Sequence, residues 1–309
     1  MALSVAVVLR AAPSLEARTS SFMNLQGSPG LRSASALVAD AGGNVIYGKD
    51  IDAVRPIASI TKLMTAMLLL DAHQPMDENI TISALEVDNL RYNSSRLAVG
   101  TTLSRGELLH LALIASENRA AHALARNYPG GLQRFIAAMN DKARTLNMLH
   151  TTFEDPTGLT SNNRSTAEDL AKMVEAAARY PQIRDITTTG SYEITRPALV
   201  RVGHKHKKEW RHIVRRVEFH NTNRLVRNDN WNIGLSKTGF INEAGHCLVM
   251  QAKIAHKEVI IVLLDGAKYA RVADAERIKT WLEHQASTLV ALKLDGRPLR
   301  SSSKAYAKN

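Results

Sequence analysis

The chain has 309 residues, enough for one large domain or two closely packed lobes. Its 45 % hydrophobic and 22 % charged residues are those of an ordinary globular protein, and no apolar run approaches the ~20 residues that would span a bilayer. The net charge of +11 is local: residues 201–216 hold seven Lys or Arg against one Glu, and 293–309 hold five against one Asp, so the basicity suits contact with an anionic polymer and is not a property of the core.

Residues 1–33 are expected to form a leader and linker. "MALSVAVVL" has the apolar character of an export signal whose basic first region is missing, and residues 10–33 are rich in Ser, Ala, Arg and Gly. "SALVADAGGNVIYGKD" predicts two strands around a turn. Beyond Pro56, the spacing of Leu63, Met67 and Leu70 predicts a helix from Ala58 to about His73. Residues 75–103 are mixed and loop-rich.

Ser104 and Glu107 form a capping box ahead of "LLHLALIAS". That helix is expected to end near Ser116, and "NRAAHALARNY" to start another at once. "LQRFIAAMNDKARTLNM" predicts a further helix. "DPTGLTSNN" is a turn cluster, followed by a helix with a second capping signature at Ser165 and Glu168. The pattern changes after about residue 190. "WNIGLSKTGF", "HCLVMQAKIA" and "EVIIVLLDG" predict strands, the last two joined by a tight turn at His256 and Lys257, and a closing helix follows. Strands at both ends with helices between imply one antiparallel sheet built from the two ends of the chain, with a helical lobe inserted at about 80–165.

Three short motifs carry chemistry. In "RPIASITKLM", Ser59 and Lys62 stand three apart at a helix start, where their side chains share a face and the helix terminus favours an anionic oxygen. A serine hydroxyl needs a base, and lysine serves only if its pKa falls from ~10.4 to about 7–8. Burial supplies part of that shift and a second cation more, so another lysine is expected close by. Lys237 in "LSKTGF" is the candidate. Thr238 beside it can donate to a carboxylate, and Gly239 leaves room for close approach along the strand. Between the two motifs, Ser116 and Asn118 sit at a helix corner that can direct both into a cleft. Each motif alone is weak. Ser301 and Lys304 repeat the first spacing in the tail, and Ser161 and Asn163 repeat the second in a turn that ordinary helix punctuation explains.

The order S-x-x-K, S-x-N, K-T-G is the signature of penicillin-interacting serine acyl-transferases. "RPIASITKLMTAMLLLDA", "LALIASENRAAHALARNYPGG", "DPTGLTSNNRSTAEDL" and "DNWNIGLSKTGFINEAGHCLVM" resemble the D-alanyl-D-alanine endopeptidases among low-molecular-mass penicillin-binding proteins. The resemblance runs from about residue 34 to 287. It implies an α+β fold related to the serine β-lactamases: a five-stranded antiparallel sheet flanked by helices, plus a helical lobe. It implies a periplasmic serine peptidase without cofactor that cuts D-Ala–meso-diaminopimelate cross-links in peptidoglycan and is acylated by β-lactams. Carried over position by position, Ser59 is the nucleophile and Lys62 its base. Ser116 relays a proton, Asn118 holds Lys62 and the substrate amide, and Lys237 and Thr238 of the K-T-G run ending at Gly239 bind the carboxylate end. The backbone N–H groups of Ser59 and Phe240 form the oxyanion hole.

Competing readings use the same residues differently. A D-alanyl-D-alanine carboxypeptidase attacks the same kind of amide. A serine β-lactamase of the glutamate-assisted type would need Glu154 or Glu168 to activate water. A non-catalytic binder would rest on the basic stretches 201–216 and 293–309 and on Trp210, although no nucleic-acid motif accompanies them. Those stretches suit an anionic wall or membrane surface. His204, His206 and His212 are read as lying in a charged loop without metal-ligand partners. Cys247, alone, reads as a small core hydrophobe.

Overall fold

A computed structural model describes residue 25 and residues 27–87, 95–202 and 209–294, with the side chains of 196–202, 209–212 and 288–294 left aside. Most of the expected leader, the 203–208 part of the basic stretch and the tail beyond residue 294 lie outside the described residues.

β1 (Ser35–Asp40) and β2 (Val45–Lys49) form the predicted hairpin. Asp40 closes it by accepting from the Gly42 and Asn44 N–H groups at 2.9 Å each. β3 (Arg55–Pro56) leads into a 3-10 turn, Ala58–Thr61, that runs straight into α1 (Lys62–Asp71). Every α1 residue from Lys62 to Leu70 is buried, so this is a central helix enclosed on all sides, with Lys62 and Thr65 its buried polar residues. β4 (Asn79–Thr81) pairs with β5 (Thr102–Ser104) inside the stretch expected to be loop-rich.

α2 (Arg105–Ile114) opens on the predicted capping box. Glu107 N–H donates to Ser104 Oγ at 3.1 Å, and Ser104 N–H donates to Glu107 Oε2 at 2.8 Å. α3 (Asn118–Arg126) and α4 (Gly131–Thr145) follow as expected. β6 (Arg164–Ser165) pairs with β3. The cap of α5 (Ala167–Ala177) differs from expectation by one residue. Thr166, not Ser165, accepts from the Asp169 N–H, because Ser165 is committed to β6. α6 (Pro181–Thr187) was not anticipated; Pro181 starts it at a position where no N–H is needed.

The larger departure comes next. β7 (Ser191–Val202) and β8 (Glu209–His220) form an antiparallel ribbon with twelve paired positions. The basic stretch is thus mostly strand, and His212 lies on β8 and not in a loop. The ribbon stands outside the main sheet. Ile194 and Phe219 anchor its base in the core, while Ile213, Val214, Arg215 and Arg216 are exposed. Charges interleaved with apolar residues hid the strand period.

β9 (Asn232–Ile241), β10 (Gly245–Ile254) and β11 (Lys257–Gly266) complete a five-stranded antiparallel sheet in the order β2-β1-β11-β10-β9. The expected union of the two chain ends is present. α7 (Ala270–Leu294) packs on one face, against β10 and β11. α5 covers the other face, next to α1. On β11, Val259, Ile261 and Leu263 belong to the α7 side and Ile260, Val262 and Leu264 to the other, so both faces of the strand are apolar. The layers are α7, sheet, then the helices around α1. Among the described residues, no helix is long and apolar enough to cross a membrane.

Candidate active site

The 3-10 turn places Ser59 and Lys62 side by side. Thr61 Oγ1 donates to Ala58 O at 2.8 Å, and Ala58 takes a positive φ of 46° to make the bend. Lys62 is 1 % exposed. Its Nζ lies 2.9 Å from Ser59 Oγ, 2.7 Å from Asn118 Oδ1 and 2.7 Å from the Thr157 carbonyl oxygen. A neutral amine has two N–H donors and one lone pair. Two of its partners are carbonyl oxygens that only accept, and the third is a hydroxyl that can donate. The partner set accommodates both forms: the ammonium donates to all three oxygens, and the neutral amine donates to the two carbonyls and turns its lone pair to the hydroxyl. Burial lowers its pKa to about 7, against the opposing pull of Asp155 and Glu117.

Lys237, on β9, is equally buried. Its Nζ donates to Ser116 Oγ at 2.9 Å and to the Thr238 carbonyl oxygen at 3.0 Å. Burial holds its pKa well below the usual lysine range, and the charges of Lys62 and Arg271 push it further down. The second lysine is thus close, as the base argument required. Burial leads the shift of each lysine, and the mutual repulsion of the two amines disfavours charging both.

Ser116 occupies the corner between α2 and α3 with a φ of 58°, which turns its hydroxyl toward Lys237. Asn118 is the first residue of α3, where it meets Lys62. Thr238 Oγ1 donates to Thr222 Oγ1 at 2.6 Å. Gly239 lies against the serine turn: a Cβ there would stand 2.8 Å from Ile57 O and 3.1 Å from Ser59 N. Phe240 is 51 % exposed and stacks on His246 at 4.3 Å between ring centroids. Ser59, Ser116, Asn118, Thr238, Gly239 and Phe240 line one cleft of about 310 Å³, with Lys62 and Lys237 buried in its wall. All eight predicted residues therefore come together.

Other parts were not singled out by sequence. Leu159, Thr222 and Arg271 complete the cleft. Arg271 Nη1 donates to the Gly239 carbonyl at 3.0 Å, which fixes a cation at the cleft edge. The turn cluster after Phe153 supplies the Thr157 carbonyl. Asp155 organises it, with Oδ1 accepting from the Thr157 and Gly158 N–H groups and Oδ2 from the Thr160 N–H at 2.9 Å. Asn163 corrects an expectation: it is fully buried and not helix punctuation. Its Nδ2 donates to Thr61 Oγ1 at 3.0 Å and to Asp155 O at 2.8 Å, and its carbonyl accepts from the Ile57 N–H at 3.0 Å. It ties the turn cluster to the serine turn. The dense Asp, Thr, Gly and Asn content was a visible signal, but only of a turn.

Neither Glu154 nor Glu168 lines the cleft. Cys247 is buried, and burial pushes its thiol up to about 11, so it packs as a hydrophobe. The arrangement suits acyl transfer: a hydroxyl beside a neutral amine, a second hydroxyl beside a second amine, an amide, and a hydroxyl and guanidinium for an anionic end.

Comparison with known proteins agrees with this chemistry. The family model for D-alanyl-D-alanine carboxypeptidases matches residues 23–268. The chain is 44 % identical over 285 residues to a D-alanyl-D-alanine endopeptidase of Pseudomonas aeruginosa, covering 92 % of this chain and 86 % of that one. It is also 44 % identical to the Escherichia coli D-alanyl-D-alanine endopeptidase, covering 88 % and 84 %. A Streptomyces DD-transpeptidase structure superposes with a TM-score of 0.70 at 28 % identity, covering 83 % of this chain and 98 % of that one. A Listeria monocytogenes penicillin-binding protein with cefotaxime bound superposes with a TM-score of 0.68 at 27 % identity, covering 83 % and 99 %. The fold, the motifs in their order and these likenesses agree, and the chain belongs to the D-alanyl-D-alanine carboxypeptidase family of serine peptidases.

Proposed function

We propose that this enzyme hydrolyses the amide that follows D-alanine in peptidoglycan peptides, through an ester on Ser59, and that its main substrates are D-Ala–meso-diaminopimelate cross-links. The observation that carries the mechanism is the burial of Lys62 with its Nζ 2.9 Å from Ser59 Oγ; once neutral, the amine donates to the two carbonyl oxygens and turns its lone pair to the hydroxyl. Lys62 takes the proton as Ser59 Oγ bonds to the carbonyl carbon. The resulting oxyanion rests in the N–H groups of Ser59 and Phe240, a contribution of about 3–4 kcal/mol per donor. The C–N bond then breaks as the proton held by Lys62 passes through Ser116, which Lys237 orients, to the leaving amine, and Lys62 is neutral again. Water cleaves the ester with Lys62 again as base. Asn118 keeps Lys62 in place, and Thr238 with Arg271 receives the carboxylate of the leaving group.

Endopeptidase action is favoured by the 44 % identical relatives, and carboxypeptidase action by the family description and by a Bacillus subtilis carboxypeptidase at 30 % identity. Digestion of purified cross-linked and uncross-linked muropeptides, with Ser59→Ala as control, separates them. The expected outcome is loss of cross-linked dimers with terminal D-Ala retained on pentapeptides. Trimming of pentapeptides alone would assign the carboxypeptidase. A β-lactam, which presents a strained amide and a carboxylate to the same groups, acylates Ser59 in this reading.

In the same reading residues 1–33 are a leader and linker, 34–290 the catalytic unit and 291–309 a basic tail, and the enzyme works in the periplasm. The exposed Arg215 and Arg216 of the β7–β8 ribbon offer a surface to anionic wall polymer.

A further inference from the structure

Where the chain leaves the β7–β8 ribbon it passes directly to the catalytic cleft. His220 ends β8, Asn221 is buried, and Thr222 lines the cleft. Asn221 itself is not part of the cleft lining. Its side chain is fully engaged. Nδ2 donates to the Thr187 and Thr189 carbonyl oxygens at 2.9 Å each, and Oδ1 accepts from the Asn223 N–H at 2.9 Å. A reversed amide would set its oxygen against two carbonyls, so these partners hold one orientation. The Asn221 backbone N–H donates to Gly190 O at 2.8 Å. One residue thus joins the end of α6, the base of the ribbon and the approach to β9.

Two routes run from Asn221 to β9. Thr187, whose carbonyl Asn221 holds, accepts from the Ser236 N–H on its Oγ1 at 3.3 Å. Thr222, the next residue in the chain, accepts from Thr238 Oγ1 at 2.6 Å. Ser236 and Thr238 flank Lys237, so both routes end beside the lysine that orients Ser116. Thr222 is also pinned to α2: its N–H donates to Ile114 O at 3.0 Å, two residues before Ser116. The place of Thr222 matters because a hydroxyl has one proton. Thr238 gives that proton to Thr222. To donate to a carboxylate instead, Thr238 must turn its proton outward, and Thr222 can then donate back to it only if the two oxygens stay within hydrogen-bond distance. We infer that Asn221 is a positioning residue for the carboxylate-binding side of the cleft, setting Thr222 and, through Thr222 and Thr187, the K-T-G segment of β9. The inference rests on the peptidase reading, in which Thr238 receives the carboxylate of the leaving group.

The test compares a carboxylate with its ester, so that it reads position and not folding alone. In the full chain carrying Ser59→Ala no acyl bond forms, and benzylpenicillin and its methyl ester are titrated calorimetrically. The acid is expected to bind about tenfold more tightly than the ester, the worth of one hydrogen bond to a charged group. Adding Asn221→Ala should bring that ratio down to about two, by weakening the acid. Thr187→Val, which removes the hydroxyl and keeps the shape, should lower the ratio in the same sense, and Thr187→Ser, which keeps the hydroxyl, should restore it. With Ser59 present, Asn221→Ala should raise the benzylpenicillin concentration at half-maximal acylation about fivefold and change the limiting rate less than twofold. A ratio unchanged by Asn221→Ala, or acid and ester weakened equally as a purely structural tether would give, overturns the inference. If Asn221→Ala does not fold, the Thr187 pair decides: a ratio that Thr187→Val leaves intact overturns it. The peptidase reading fails separately, through a wild type that labelled penicillin does not acylate and that cleaves no muropeptide. A carboxylate preference lost with Asn221→Ala in that case would still uphold the positioning role.

Discussion

Lys62 shows how one side chain is tuned by what surrounds it. Its three partners accommodate the amine in either form, and burial brings its pKa from 10.5 to about 7. Acylation of Ser59 by penicillin should therefore rise with pH through about 7 and level off above it, measured as the second-order rate from pH 5 to 9. Lys62→Met should lower the plateau a hundred- to ten-thousandfold, the usual worth of a general base. The same shift acts on stability with a definite sign. Between about 7 and 10.5 the unfolded chain holds a proton on this lysine that the folded chain has released. Stability then rises with pH across that window. Denaturant titrations should show wild type gaining on Lys62→Met by about 1 kcal/mol per pH unit there. A difference independent of pH would mean that Lys62 keeps its proton when folded.

At the scale of elements, the serine turn, the 155–163 turn cluster and β9 are held in mutual contact. The tightest point is Gly158, whose φ is 84° and whose added Cβ would stand 1.9 Å from Ala58 O. Gly43, with a φ of 81°, has nothing within 4 Å of such a Cβ. Gly43→Ala should cost only the left-handed conformation, about 1–2 kcal/mol. Gly158→Ala pays that and must also move backbone against backbone, so its cost should exceed ~3 kcal/mol. Because the turn carries the Thr157 carbonyl, the remaining folded protein should also acylate more slowly. Urea unfolding and penicillin labelling of the pair test both statements, and equal costs for the two variants would refute the contact. Sequence located these turns through their Gly, Asp and Asn content. It does not show which of them touch, and so Asn163 reads from sequence as helix punctuation while the fold makes it a tether.

On the scale of the whole molecule, β1 and β11 pair although more than 200 residues separate them, and β10 joins them to β9 with its lysine. The sheet thus brings the two ends of the chain to one cleft. The basic ribbon lies apart from that sheet. Binding to whole peptidoglycan should then be salt-sensitive while cleavage of small soluble muropeptides is not. Raising salt from about 50 to about 200 mM, or replacing Arg215 and Arg216 with Gln, should reduce sedimentation with sacculi severalfold. Muropeptide turnover measured alongside should stay constant. Loss of both together would place the ribbon in the active cleft.

The sequence by itself determined the local chemistry: the serine and lysine three apart at a helix start, the Ser104 cap, the apolar strands of the sheet, and the order of three motifs. Each depends on residues near in the chain, whose spacing and backbone preference act before anything packs. Tertiary structure alone decided the rest. Burial of Lys62 between Asn118 and Thr157, the cation of Arg271 and the tether of Asn163 all arise from groups distant in sequence. A desolvated amine has no counterpart in an extended chain, because only folding removes the water that would otherwise keep it charged.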